Sequence, residues 1–368
     1  MNTFNDFTLA GILLNAIKAP CGVFMRLCER YDPGELARGE SFWDELGLSK
    51  TQRQKLSNLL RESWARRELE RVEKFGARFI TAMDLDYPAR LKDLRNPPVG
   101  LYVKGSANIL LPSVAIVGTR KSSDYARVVA ENLARALAQS NITVISGGAR
   151  GIDSAGHRGC LAEGGVTIAV FGTGVDRVYP VENRDLFSRI IERGALVSEF
   201  PMGTGGDSWH FPERNRIIVG MASRVVVVES PEGGGAMLTA RAALDLGREV
   251  WAVPGRITDD VCRGTNELFN EGAKAVASIQ SFIETIAPTH EQLSLNFDME
   301  APKPDKTVPT LSDDEKVVYS LLARQGDRLT DEIVLESGLD FMTVQEALMT
   351  LVSYGLIMDA SGRYSATA

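Results

Sequence analysis

NITVISGGARGIDSAGHRG, residues 141–159, runs from a β-branched apolar stretch through a glycine turn into a helix-like segment. Strand, glycine turn and helix start together present unpaired backbone N–H groups to an anion. The same unit recurs on both sides. SVAIVG (113–118) precedes DYARVVAENLARALAQS (124–140), VTIAVFG (166–172) precedes ENRDLFSRIIERG (182–194), and RVVVVES (224–230) precedes LTARAALDLG (238–247). EVWAVPG (249–255) closes the series before a helix expected over TNELFNEGAKAV (265–276). Strands that are apolar almost throughout, alternating with helices, predict a doubly wound α/β domain whose mostly parallel sheet is covered on both faces.

Working outward, residues 1–66 read as a small helical domain of the SAM or helix-hairpin-helix kind. TLAGILLNAI (8–17), GVFMRLCERY (22–31) and LSKTQRQKLSNLLRESW (48–64) carry apolar residues at helical spacing. The turn IKAPCG (17–22) lacks the paired glycines that bring a helix end onto DNA phosphate, so a packing or partner-binding module is expected. Residues 67–286 form the α/β domain, entered through a helix and two short strands, FITAMD (79–84) and VGLYVKG (99–105). Residues 287–310 are proline-rich and polar, the composition of a linker. Residues 311–368 show three helical patterns and a hairpin, which predicts a winged helix.

The 368 residues carry a net charge of −7, which argues against indiscriminate nucleic-acid binding but leaves room for a local basic patch. No apolar run approaches the roughly 18 residues of a membrane span, and no signal peptide is evident. Cys21, Cys28, Cys160 and Cys262 stand alone without a CxxC pair, as expected of reduced thiols in a cytoplasmic protein without a metal site.

Ligands of an open parallel sheet bind at the carboxyl ends of its strands. Those ends read GTRKSS (118–123), SGGARGID (146–153), FGTGVDRVYP (171–180), EFPMGTGGDSWHFPERNR (199–216), ESPEGGGAML (229–238) and PGRITDDVCRGTN (254–266). A dinucleotide fingerprint is missing, since the first turn holds Gly118 alone, and no P-loop occurs. Asp153 and His157 share a helical face beside Ser154, but no nucleophile elbow or second acid accompanies them, so structural roles are expected. Between residues 113 and 286 the cations are arginines apart from Lys121 and Lys274, and arginine suits planar, bidentate phosphate contact. Arg120, Lys121, Arg150, Arg177, Arg214 and Arg216, with amides bared at Gly147, Gly148, Gly151, Gly172 and Gly174, span more strand ends than one small phosphate requires. Trp209, His210 and Phe211 add aromatic faces. Backbone charge with base stacking is what single-stranded nucleic-acid binders combine.

The segments VAIVGTRKSSDYA, ISGGARGIDSAGHRG, GTGVDRVYP with Asn183, SEFPMG, FPERNRIIVGMAS and VVVVESPEGGGAMLTARAALDLGREVWAVPG resemble the DprA/Smf family, DNA processing protein A, over roughly residues 70–285. The resemblance implies an extended Rossmann-like domain that binds single-stranded DNA as a homodimer, without hydrolytic activity or cofactor. It also implies a mediator that receives DNA in natural transformation and loads the RecA recombinase. Carried over, the family's pocket falls on Arg120, Arg150, Phe211, Pro212, Arg214, Asn215 and Arg216. Two departures stand out: Gly147-Gly148 replaces the common Gly-Leu, and GGAML from Gly234 replaces Ser-Gly-Ser-Leu. The second leaves open whether a small nucleotide binds near Gly233–Leu238. The alternative is a nucleotide-binding enzyme like the nucleoside-monophosphate phosphoribohydrolases. Their catalytic glutamate has no counterpart in Ala236-Met237-Leu238-Thr239-Ala240.

The C-terminal helix FMTVQEALMTLVSYG (341–355) holds Glu346 and no lysine or arginine. Duplex readout is therefore not expected of it, and a dimer or partner contact is.

Overall fold

The computed structural model describes residues 6–286, 311–325, 328–353, 356–360 and 363–366. It opens with five helices: α1 (Asp6–Ala16), α2 (Cys21–Arg30), α3 (Glu40–Glu45), α4 (Lys50–Arg61) and α5 (Trp64–Lys74). Ser49 starts α4 with a reciprocal cap: its hydroxyl accepts from the Gln52 amide while the Gln52 side chain accepts from the Ser49 amide. Leu14, Phe24 and Val72 from these helices share one apolar core with Phe79 and Tyr102 of the following strands.

Nine strands then form one sheet: β1 (Arg78–Thr81), β2 (Gly100–Lys104), β3 (Ser113–Val117), β4 (Thr143–Ser146), β5 (Thr167–Phe171), β6 (Ala195–Ser198), β7 (Arg224–Val227), β8 (Glu249–Ala252) and β9 (Lys274–Ala275). Their order is β1-β2-β6-β5-β4-β3-β7-β8-β9. The pairs from β6 to β9 are parallel, while β2 runs antiparallel to both β1 and β6. The helices that follow strands are α6 (Asp124–Gln139), α7 (Ile152–Ala162), α8 (Arg184–Arg193), α9 (His210–Met221), α10 (Gly235–Asp245), α11 (Arg263–Asn270) and α12 (Ile279–Ile286). This is the mostly parallel, doubly wound Rossmann-like fold that the apolar runs require. The stretch GAKAV (272–276), expected as the tail of a helix, departs from it: Gly272 turns the chain at φ +100° and Lys274–Ala275 becomes the edge strand β9.

Both faces of the sheet are buried because strand residues alternate between two cores. Val114 and Ile116 face one, Ala115 and Val117 the other. From β3 the chain steps outward through β4 and β5 to β6, then returns past β3 to β7. That reversal opens a crevice at the carboxyl ends, between loops that diverge to opposite sides.

The chain divides into two compact units, Met1–His290 and Glu291–Ala368. In the second, α13 (Asp313–Gln325), β10 (Arg328–Leu329), α14 (Thr330–Ser337), α15 (Phe341–Ser353), β11 (Ile357–Ala360) and β12 (Arg363–Ala366) follow in that order. The strands form an antiparallel sheet, β10-β12-β11, beside a core of Val318, Leu322, Ile333, Val344, Leu348 and Leu351. The expected linker, 287–310, lies outside the described residues. Among those described, no helix is long and apolar enough to cross a membrane.

Helices α6 and α7 touch backbone to backbone at Gly159, where a Cβ would stand 2.2 Å from the carbonyl oxygen of Glu131. Gly159→Ala should therefore cost about 2–3 kcal/mol, read as the shift of the urea midpoint. Gly205→Ala, with nothing within 4 Å of its Cβ, should stay within about 0.5 kcal/mol of wild type.

Candidate nucleic-acid interface

The loop that ends β4 is built around two buried opposite charges. Asp153, in the first turn of α7, accepts the amides of Gly147 (3.1 Å) and Ala149 (3.2 Å) on one carboxylate oxygen. Arg214, from the second turn of α9, donates through Nη1 to the carbonyls of Gly147 (2.6 Å) and Val170, and its Nε donates to Asn215 Oδ1. Burial pushes the Asp153 carboxyl up, and Arg214 and the loop amide of Ala149 pull it back. Burial likewise lowers Arg214, to about 10, against the pull of Asp153. Gly147 has to be glycine, since a Cβ there would lie 2.5 Å from the Arg214 guanidinium. Asn183 ties the loop down from the next crossover, donating to Gly148 O (2.9 Å) and to the hydroxyl of Ser154 (2.8 Å).

These contacts correct three expectations. The Gly147 amide is spent on Asp153 and is not bare for an anion. Arg214 lines the groove and its recess but is buried there, its guanidinium held by backbone carbonyls instead of extended toward solvent. Arg216 turns away altogether, donating to both carboxylate oxygens of Glu199 and to Asn96 O (2.7 Å). Asp153 and His157 have the structural roles expected of them. His157 is fully buried, its Nδ1 2.7 Å from Thr167 Oγ1. That hydroxyl already donates to Val144 O, so Nδ1 must carry the proton and Nε2 is left without a partner.

The first loop, 118–123, closes onto this one. A Cβ on Gly151 (φ +75°) would meet Thr119 O at 2.4 Å, so the two loops lie in direct backbone contact. Ser123 caps α6 by accepting from the Ala126 amide, and the buried Glu229 at the end of β7 takes both the Ser123 amide (2.8 Å) and its hydroxyl (2.7 Å). The loop thereby holds Arg120 and Lys121 in solvent, and neither makes an ion pair among the described residues. The Arg120 guanidinium lies 4.9 Å from the centre of the Phe211 ring, and Tyr179 lies against the same ring at 5.4 Å.

The side chains border a groove of about 610 Å³ lined from five strand ends, including Gly118–Arg120, Ala149, Tyr179, Gly206, Phe211, Asn215 and Gly234–Ala236. A smaller recess of about 40 Å³ adjoins it, walled by Phe171, Tyr179, Pro180 and Phe211, with Arg120, Arg150 and Arg214 around it. Arg150 and Glu182 form an exposed ion pair (2.6 Å) at its margin. Arg177 is exposed, 3.9 Å from Asp176. Gly148 takes φ +68° against the Phe187 ring, which shapes the turn without contacting the groove.

Of the three aromatics expected as stacking faces, Phe211 alone borders the groove. Trp209 packs under Lys18 Nζ (4.1 Å) and against His210, and His210 is buried, with Nδ1 3.0 Å from Gly205 O. Tyr179 escaped the sequence reading. Its signal was an aromatic residue between Arg177 and a proline in a strand-end loop.

The family described as DNA recombination-mediator protein A matches residues 78–287. The chain is 34% identical over 329 residues to a DNA processing protein DprA of Mycobacterium tuberculosis, covering 84% of this chain and 83% of that one. Its fold matches the X-ray structure of DNA processing protein A from Streptococcus pneumoniae (TM-score 0.66, 29% identity), covering 77% of this chain and 98% of that one. It also matches the Helicobacter pylori protein, described in its single-stranded DNA binding mode (TM-score 0.52, 29% identity; 57% and 95% covered).

Burial holds His157 down to about 3 against an ordinary 6.5. The unfolded chain therefore takes up a proton on acidification before the folded chain does, and stability falls as pH drops from about 6.5 toward 3, by at most about 1.4 kcal/mol per unit. His157→Asn keeps a donor for Thr167. Urea titrations across that window should show a shallower decline for the variant than for wild type.

Proposed function

The chain belongs to the DNA recombination-mediator protein A family, the DprA/Smf proteins, and from that premise we propose that its groove binds single-stranded DNA. The observation that carries the reading is the arrangement at the crevice: Arg120 and Lys121 unpaired in solvent, Arg120 over Phe211, and Tyr179 on the same ring. Phosphates would be met by Arg120, Lys121, Arg150 and Arg177 and by the amide of Gly151, with Asn215 at the groove floor. Bases would lie on Phe211 and Tyr179, as sequence-tolerant binders use aromatic faces. Arg150 is available because its partner Glu182 is as exposed as itself. Such a surface pair is worth about 0–1 kcal/mol, so a phosphate can replace the carboxylate at little cost. Arg214 shapes this surface from below, and Gly147 and Gly148 make its turn possible.

In this reading the protein is a cytoplasmic homodimer without enzymatic activity of its own. It receives single strands in natural transformation, shelters them and hands them to the RecA recombinase. The second unit, with helix, strand, two helices and two strands in succession, is read as a winged helix whose last helix meets a partner instead of a duplex. The phosphoribohydrolase-like alternative is disfavoured by chemistry. The turn at Gly234–Ala240 brings no carboxylate, and Glu229 is committed to Ser123.

Fluorescence anisotropy of a labelled poly-dT oligonucleotide at several salt concentrations tests the proposal. Wild type should bind with steep salt dependence and prefer single strand to duplex. Arg120→Ala should weaken every oligonucleotide alike, about five- to tenfold, and flatten the salt slope by about 0.7. No binding by the folded protein would overturn the reading and direct attention to nucleoside monophosphates. A loss confined to one base sequence would contradict backbone contact.

A further inference from the structure

Glu68 lies on α5, among the N-terminal helices, and borders neither the groove nor its recess. It is nonetheless completely buried, and both of its oxygens are occupied. Oε1 accepts the amide of Met202 at 2.6 Å, across 134 residues of sequence. Oε2 accepts from Arg71 Nη1 at 3.1 Å. Burial pushes this carboxyl up, while the Met202 amide and Arg71 draw it down.

From Arg71 the contacts continue toward the groove. Arg71 Nη2 lies 3.9 Å from Asp176 Oδ2, and the other oxygen of Asp176 accepts the Gly203 amide at 2.7 Å. Asp176 Oδ2 is also 3.9 Å from Arg177 Nε. Gly203 stands at φ +82°, and a Cβ there would come within 2.8 Å of Arg71 Nη2, so the glycine leaves the guanidinium its place. The two loops joined in this way, after β5 and after β6, are bonded to each other as well. Gly174 N donates to Thr204 O (3.0 Å) across the two loops, and within the first of them Thr173 Oγ1 donates to Arg177 O (2.9 Å). The same loops present Thr173, Tyr179, Gly206 and Ser208 to the groove and its recess.

We propose that Glu68 is a positioning residue for strand binding, setting through Arg71 and Asp176 the loop that carries Arg177 and Tyr179. The proposal rests on the single-strand reading above and adds to it that the N-terminal helices are part of the binding apparatus. A buried carboxylate needs a full set of partners, because a charge without them is costly to remove from water. Beyond Glu68's own helix its partners are the Met202 amide, in the loop after β6, and the buried Tyr102 hydroxyl of β2, so the folding of the helices is coupled to the loop that runs on to Gly206 and Ser208 in the groove.

The test uses the full chain as wild type, Glu68→Gln, Asp176→Asn, Arg177→Ala and the Glu68→Gln/Arg177→Ala double variant. Poly-dT anisotropy is measured across a salt series, and folding is checked by the urea midpoint. Glutamine keeps an acceptor for the Met202 amide but loses the charge facing Arg71. Asparagine at 176 keeps an acceptor for Gly203 and loses the charge facing Arg71 and Arg177. It is a second route to the same break should Glu68→Gln fail to fold. Each single variant should weaken binding about three- to tenfold and flatten the salt slope by about 0.7, one phosphate contact. The double variant should be no weaker than Arg177→Ala. Wild-type affinity and slope in folded Glu68→Gln and Asp176→Asn would overturn the relay alone, as would losses that multiply in the double variant. Absence of poly-dT binding by wild type would overturn the single-strand reading and the relay with it.

Discussion

Asp153 and Arg214 face each other's field beneath the loop that ends β4, and the proposed binding surface rests on them. The carboxylate collects two amides of that loop, and the guanidinium takes one of its carbonyls and one from β5. Neither charge would be stable there alone. Removing one partner of a buried pair typically costs about 3–5 kcal/mol, because the other is left uncompensated. Together they let a glycine-rich turn hold a single shape in a place where its polar groups have little water. The close approach of Gly151 to Thr119 then carries that shape to the first loop, and Glu229 fixes the first loop to β7. Four neighbouring strands are thereby joined at their carboxyl ends by contacts that leave Arg120, Lys121 and Arg150 free to face solvent.

This division separates two uses of arginine. Arg214 and Arg216 are consumed internally, by backbone carbonyls and by Glu199. Arg120, Arg150 and Arg177 stay outside, exposed to solvent, and are the cations the proposal assigns to phosphate. The net charge of −7 weighs against binding polyanions over the whole surface and leaves a local basic patch at the groove as the proposed site. The aromatic pair Phe211 and Tyr179 lies beside Arg120 in the wall of the recess.

The α/β alternation was legible in the sequence because strands buried on both faces are apolar almost throughout, and each leads into a loop that carries glycine. The location of the site followed, since ligands of such sheets collect at those ends. Which arginine does which work was not legible. Arg214 and Arg216 sit two apart in FPERNR, yet one enters the sheet and the other binds Glu199, and burial of that kind is decided by elements distant in the chain. Tyr179 was missed for a similar reason: its place on Phe211 joins the loop after β5 to the start of α9, 32 residues further along the chain. Glu68 looked like one more charge on an amphipathic helix. Its role depends on Met202, and no periodicity within α5 reveals that partner.

Backbone hydrogen exchange of the full chain, with and without a dT oligonucleotide, tests the central claim most directly. The account predicts slower exchange in the loops at 118–123, 147–151, 172–180 and 203–211, which meet at the groove, and little change in residues 311–366. Protection confined to residues 311–366, with the strand-end loops unaffected, would contradict it.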